Sequence, residues 1–104
     1  MDIRFAIGKN ETKALDTNGL RDNFLVSELF QAEKLKLTYS HYDRMIIGGV
    51  LPVKKSIVLS NPAELRAEYF LERRELGIIN IGGKGEVVVD GKKHGLKKLE
   101  CLYV

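Results

Sequence analysis

At 104 residues the chain has room for one domain at most, which leaves no space for a separate catalytic domain. Its 44% hydrophobic and 30% charged residues exclude a disordered polypeptide and require a packed core. The formal charge of +3 is scattered over Lys54-Lys55, Arg73-Arg74, Lys92-Lys93 and Lys97-Lys98, the pattern of a solvated face rather than the concentrated basic stripe of a nucleic-acid binder.

Cys101 is the only cysteine, so an internal disulfide is impossible and a reducing compartment is expected. Met1 to Phe5 lacks the apolar run of a signal peptide, and no stretch reaches the roughly 18 apolar residues of a membrane span. The expected location is the cytoplasm, with no membrane partner.

Residues 1–18 are mixed and polar, with Phe5, Ile7 and Leu15 as expected anchors. After the Asn18-Gly19 break, Leu20, Phe24, Leu25, Leu29 and Phe30 recur at intervals near three and four, which predicts a short amphipathic helix packed on a sheet. Leu35, Leu37 and Tyr39 alternate with Lys34, Lys36 and Thr38, the period of a strand with one buried face. Met45 to Ile47 form a second apolar run, followed by Gly48-Gly49, where the backbone is expected to turn or to pass close to something. Ile57 to Leu59 form a third.

Asn61-Pro62 with Glu64 reads as the start of one helical turn. Residues 65–76 fit a helix through Leu65, Tyr69, Glu72 and Arg73, and equally a strand through Leu65, Ala67, Tyr69 and Leu71. Leu76 to Ile81 and Glu86 to Val89 predict strands, and Asp90-Gly91 predicts a tight hairpin whose central residues need positive φ. The end of the chain therefore reads as a β-meander. The apolar run from Leu99 to Val104 implies a chain that stops inside a strand, and short strands spaced by turn signals favour an all-β sandwich or barrel.

No complete site emerges from the residue types. His41 and His94 lie more than fifty residues apart, in no cluster with the three or four converging ligands that zinc needs. His94 is expected to be an exposed turn residue; His41, with Tyr39, Asp43 and Arg44 around it, is the better functional candidate. Gly82-Gly83-Lys84-Gly85 fails the phosphate-loop spacing and is read as a sheet corner. Glu72-Arg73-Arg74-Glu75 is read as an ion-pair row on a strand rather than an acid–base pair, and Cys101 as a core thiol.

Four segments together resemble the N-terminal part of the 5-keto-4-deoxyuronate isomerase family. They are Leu15-Asp16-Thr17-Asn18-Gly19-Leu20-Arg21 continuing to Phe24-Leu25-Val26; Tyr39-Ser40-His41 with Asp43-Arg44 and Gly48-Gly49; Tyr69 to Gly77 through Asn80-Ile81-Gly82-Gly83; and Val89-Asp90-Gly91. The resemblance covers essentially the whole chain, in order. It implies a mainly β fold, the N-terminal cupin-like β-sandwich or barrel half of a bicupin with one or two short helices, and it favours strand for residues 65–76.

The family's second, metal-binding cupin would lie outside residues 1–104, so the sequence looks truncated. The intact enzyme would be a zinc-dependent isomerase that interconverts 5-dehydro-4-deoxy-D-glucuronate and 3-deoxy-D-glycero-2,5-hexodiulosonate during pectin breakdown. Within this half, Glu75 and Gly82 keep the spacing of a cupin motif, while Tyr69 and Leu71 occupy its two histidine positions. No metal ligand and no catalytic residue is therefore expected on this chain. His41, Arg44 and Arg73 are the expected contacts to a uronate-derived keto sugar acid, and the resemblance implies a homo-oligomer. The competing expectation is a non-catalytic cupin that binds a small anionic sugar or mediates oligomerisation.

Overall fold

A computed structural model describes residues 1–104. Strands dominate, as expected for a β-rich cupin-like chain: seven strands accompany two short α-helices and one 3-10 turn. The chain forms two compact units, Met1–Glu64 and Leu65–Val104.

The first unit is built on a three-stranded sheet in the order β1 (Asp2–Arg4), β2 (Leu35–Ser40), β3 (Met45–Val50). β2 and β3 form an antiparallel hairpin with Ser40 opposite Met45, and β1 runs parallel to β2 with Arg4 opposite Ser40. The alternation in β2 is the predicted one, yet the fully buried side chain is Thr38, on the other face from Leu35, Leu37 and Tyr39, which are only half-buried. The reason is β1: it pairs directly against Thr38 through Asp2 and converts β2 from an edge into the central strand. No hydrogen-bond partner reaches the Thr38 Oγ1.

Gly48 and Gly49 lie inside β3 rather than ending it. Gly49 is buried, and a Cβ there would collide with the Leu29 backbone carbonyl and with Leu29 Cγ at 2.6 Å. The expected close approach is therefore to the Leu29 segment. The run Ile57 to Leu59 is not a strand, because it has no ladder partner.

Helices α1 (Lys9–Lys13) and α2 (Thr17–Phe24) occupy the stretch between β1 and β2. Asp16 caps α2, its carboxylate accepting from the Gly19 N–H at 2.8 Å. Asn18-Gly19 thus opens the helix instead of preceding it. The helix ends at Phe24, short of Leu29 and Phe30, because Leu25 is already extended. Leu20 and Phe24, four apart, share a face, and the Phe24 ring meets Tyr42 at 5.6 Å. Pro62 leads into a single 3-10 turn, Ala63–Leu65.

The second unit holds two separate two-stranded ribbons, β4 (Gly77–Ile79) with β7 (Cys101–Tyr103) and β5 (Gly85–Val89) with β6 (Lys92–Leu96). One hairpin is nested inside the other pair, which replaces the predicted meander. Asp90 at φ 47° and Gly91 at φ 78° make the expected tight turn between β5 and β6.

Asn80 ties the ribbons together by donating to the Leu96 carbonyl at 2.9 Å and the Gly83 carbonyl at 2.8 Å. This bridge forms the glycine-rich corner. Residues 66–76 are neither helix nor strand: the Glu68 N–H is satisfied by the Glu72 carboxylate at 3.0 Å and the Glu72 N–H by the Tyr69 carbonyl, so the segment closes on itself as turns. Phe70 anchors it in the unit's small core with Leu96, and the Arg74 guanidinium lies 5.7 Å from the Phe70 ring centroid.

Candidate sugar-acid contacts

The four-residue turn joining β2 to β3 carries His41 and Arg44. Its first residue is fixed by the parallel pairing: the His41 N–H donates to the Arg4 carbonyl at 2.9 Å, which continues the β1–β2 ladder by one step. The same register brings Phe5 beside His41, and the two rings stack at 4.6 Å with 13° between their planes. Tyr39 meets the imidazole edge-on at 5.2 Å. An exposed histidine is thereby held between two aromatic rings.

Tyr42 secures the turn from below. Its hydroxyl accepts from the Ile7 N–H at 3.0 Å, while its own N–H donates to Ser40 Oγ at 3.1 Å. Asp43 and Arg44 follow at φ 56° and 54°. The left-handed region costs a residue with a Cβ about 1–2 kcal/mol, and arginine lacks the short side chain that helps asparagine or aspartate there. Two successive left-handed residues serve the reversal between β2 and β3, and the turn presents an imidazole, a carboxylate and a guanidinium within four exposed or half-exposed residues.

Arg73 lies in the other unit, exposed within the turns of residues 66–76, with Glu72 Oε2 3.8 Å from its Nε. The expected trio thus divides: His41 and Arg44 share one turn, and Arg73 belongs to a separate compact unit. The predicted ion-pair row on a strand is corrected to one loose pair on a turn, worth little in water. Tyr39, expected around His41, meets it as a ring. Phe5 is the partner that sequence reasoning missed, because its contact depends on a parallel pairing that leaves no local signal.

Two further expectations are corrected. His94 sits half-buried on β6 opposite Val87 rather than in a turn, and Cys101 is exposed on β7 rather than in the core. Both reversals come from strand register, which assigns alternate residues to opposite faces.

Two titratable groups elsewhere are perturbed. The Lys54 N–H donates to Glu33 Oε1 at 2.5 Å and the Val53 N–H at 2.7 Å, and the first of these is the main cause holding the Glu33 carboxyl below its ordinary 4.5. The Tyr103 hydroxyl is pushed above its ordinary 10.0, chiefly by its hydrogen bond to Glu75.

No three His, Cys, Asp or Glu side chains are grouped where they could hold a metal ion. Tyr69 and Leu71, at the motif's histidine positions, offer no imidazole and lie outside any strand. The residues present do not fit the zinc that the family resemblance implies. No helix is long and apolar enough to cross a membrane.

Over its whole length the chain is similar to part of a class of ketol-isomerases. No protein-family model matches it. Proteins named 4-deoxy-L-threo-5-hexosulose-uronate ketol-isomerase from Yersinia pestis (strain Pestoides F), over 106 residues, and from Shouchella clausii (strain KSM-K16), over 104 residues, are each 49% identical to it. Both matches cover all of this chain and 38% of the relative, so the chain spans well under half the length of these relatives. The chain is a homologue of these ketol-isomerases across its 104 residues.

Proposed function

We propose that the chain is the N-terminal portion of a ketol-isomerase of uronate-derived keto sugar acids. The single observation that carries the reading is the 49% identity, which runs through the whole chain while accounting for 38% of the relatives' length. In this reading the substrates are 5-dehydro-4-deoxy-D-glucuronate and 3-deoxy-D-glycero-2,5-hexodiulosonate, the setting is pectin breakdown in the cytoplasm, and the protein acts as a homo-oligomer. Residues 1–104 make one supporting cupin-like domain, and zinc belongs to a second cupin beyond it. Bound there, zinc would polarise the substrate carbonyl and stabilise an enediolate.

The role of this chain's own residues is binding and support. Arg44 offers a guanidinium to the substrate carboxylate and His41 can share hydrogen bonds with its hydroxyls, while Arg73, in the other unit, is a candidate contact by itself. The chain on its own is inactive. Reading the coding sequence past Val104 tests the proposal: a His-x-His pair followed by a glutamate is expected. Stoichiometric zinc together with isomerase turnover in the 104-residue chain alone would refute the division of labour.

The strained Arg44 beside the clamped His41 also favours a second reading, a non-catalytic cupin that binds a small anionic sugar. Calorimetry with galacturonate separates the two. Binding by the isolated chain that is lost in Arg44→Ala supports the second reading, and no heat at any concentration removes it.

A further inference from the structure

We propose that the Asn18–Gly19 peptide is a site of spontaneous deamidation, and that the Asp16 cap of α2 holds it shut. The site lies within residues 15–23 and does not depend on the sugar-acid chemistry.

An asparagine followed by glycine is the pair most prone to lose its side-chain amide, because no Cβ shields the next backbone nitrogen. Of the chain's asparagines only Asn18 precedes a glycine; Asn10, Asn23, Asn61 and Asn80 precede Glu11, Phe24, Pro62 and Ile81. In the reaction the Gly19 nitrogen gives up its proton and attacks Asn18 Cγ. The new N–C bond closes a succinimide ring as the bond to the side-chain nitrogen breaks, and that nitrogen leaves as ammonia. Water then opens either ring carbonyl, giving aspartate, or isoaspartate with the backbone rerouted through the side chain. One amide and one water become one carboxylic acid and one ammonia, so no oxidant, metal or enzyme is needed. Asn18 is exposed, and water reaches it.

The fold opposes the first step at the attacking nitrogen. The Gly19 N–H donates to Asp16 Oδ1 at 2.8 Å, so the proton that must leave is held, and the adjacent carboxylate disfavours a second negative charge on the nitrogen. The same residue's carbonyl accepts from Asn23 Nδ2 at 2.8 Å, and the Leu20 N–H donates to the Asp16 carbonyl at 2.9 Å, which fixes Gly19 on both sides. Asn18 and Gly19 are both helical, whereas ring closure needs the Gly19 nitrogen to swing over the Asn18 side chain, out of the helical region. Glycine is also what the cap has room for: a Cβ there would lie 2.9 Å from Leu15 Cδ2 and 3.3 Å from Asp16 Oδ1. The residue that makes room for the cap is thus the one that makes Asn18 labile. The reaction must wait for the start of α2 to open, and the cap sets how often it does. The helix so protected carries Phe24, which meets the Tyr42 ring beside His41.

The experiment incubates the full chain, Asp16→Ala, Asp16→Asn and a synthetic peptide of residues 15–21 in mildly alkaline buffer. Peptide mass spectrometry follows conversion at Asn18, with isoaspartyl methyltransferase labelling to count the rerouted product and circular dichroism to follow the helices. The expected result is conversion at Asn18 ahead of the other asparagines, at least about tenfold slower in the unmodified chain than in the peptide. Asp16→Ala should speed it by about fivefold, the factor that about 1 kcal/mol of lost cap makes in an equilibrium, and Asp16→Asn, which still caps, should stay closer to the unmodified rate. Conversion as fast in the unmodified chain as in the peptide overturns the protection. An unchanged rate in Asp16→Ala overturns the role of the cap, and a slower one would make Asp16 a base for the ring closure. Should Asp16→Ala lose α2 altogether, Asp16→Asn carries the test, and an intact helix that converts at the peptide's rate overturns the proposal.

Discussion

Replacing Gly49 with alanine tests the packing of the first unit at its tightest point. Gly49 is buried in the middle of β3, opposite Lys36. An added Cβ would meet Leu29 Cγ at 2.6 Å and the Leu29 carbonyl carbon at 2.9 Å, with the carbonyl oxygen closer still. The side-chain contact could relax by a rotamer change. The backbone contact cannot, so either β3 or the Leu29 segment must move, at the cost of about 1–3 kcal/mol typical of overpacking.

Gly95→Ala is the matched control. Gly95 also lies within a strand, but nothing stands within 4 Å of its would-be Cβ. Removing a glycine there restricts the unfolded chain and stabilises by about 0.4–1 kcal/mol if the strand backbone suits alanine. The assay is a urea titration followed through the amide resonances of β2 and β3 for Gly49→Ala and of β5 and β6 for Gly95→Ala, since the two units need not unfold together. With a urea slope of about 1–3 kcal/mol per molar, Gly49→Ala should lower the midpoint by about 1 M. Equal midpoints for Gly49→Ala and the unmodified chain would refute the argument that Leu29 closes against this strand.

Thr38→Val should leave the first unit as stable or up to about 1 kcal/mol more stable, because it removes a buried hydroxyl without a partner; a clear loss of melting temperature would show that the hydroxyl is paired. Gly91→Ala should destabilise the β5–β6 hairpin by about 1–2 kcal/mol, since φ at Gly91 is 78°, and loss of cross-strand contacts between Val88 and Lys93 in nuclear Overhauser spectra would report it. Glu33 links acid to local order. Its folded pKa lies below the ordinary 4.5, so its contribution is present above that value and is lost as pH falls through the folded pKa. Val53 and Lys54 amide exchange should therefore speed up on acidification below the ordinary range, and Glu33→Gln should remove that acid-dependent step.

Local chemistry was legible in the sequence, and non-local pairing was not. The Asp90-Gly91 turn, the alternation of β2 and the close approach at Gly48-Gly49 each follow from a few neighbouring residues, and each is present. The parallel strand β1 is three residues long and finds β2 more than thirty residues away, so nothing within it announces a strand. That one pairing buried Thr38 in place of the leucines and placed Phe5 against His41. The two segments read as strands or possible strands that are neither, Ile57 to Leu59 and residues 65–76, show the same limit. Apolar alternation prepares a segment for a sheet, but a strand exists only where another strand accepts its hydrogen bonds. In residues 65–76 Glu68 and Glu72 satisfy the backbone from within.

The metal question separates along the same line. Whether zinc could be held at the motif positions depends on residue type alone, and Tyr69 and Leu71 answer it whatever the backbone does. Whether His41, Arg44 and Arg73 act together depends on geometry that residue type does not carry: His41 and Arg44 share one turn, and Arg73 lies in the other compact unit. Arg44 is nevertheless the residue on which the sugar-acid reading turns, since it is the one guanidinium in the β2–β3 turn beside His41. Arg44→Gly would relieve its left-handed strain and remove the guanidinium together, whereas Arg44→Lys would keep both strain and charge while losing the bidentate geometry. If the residue serves only the turn, Arg44→Gly should stabilise the first unit and leave galacturonate binding as it was. If it serves a ligand, both variants should weaken binding while only the glycine variant gains stability.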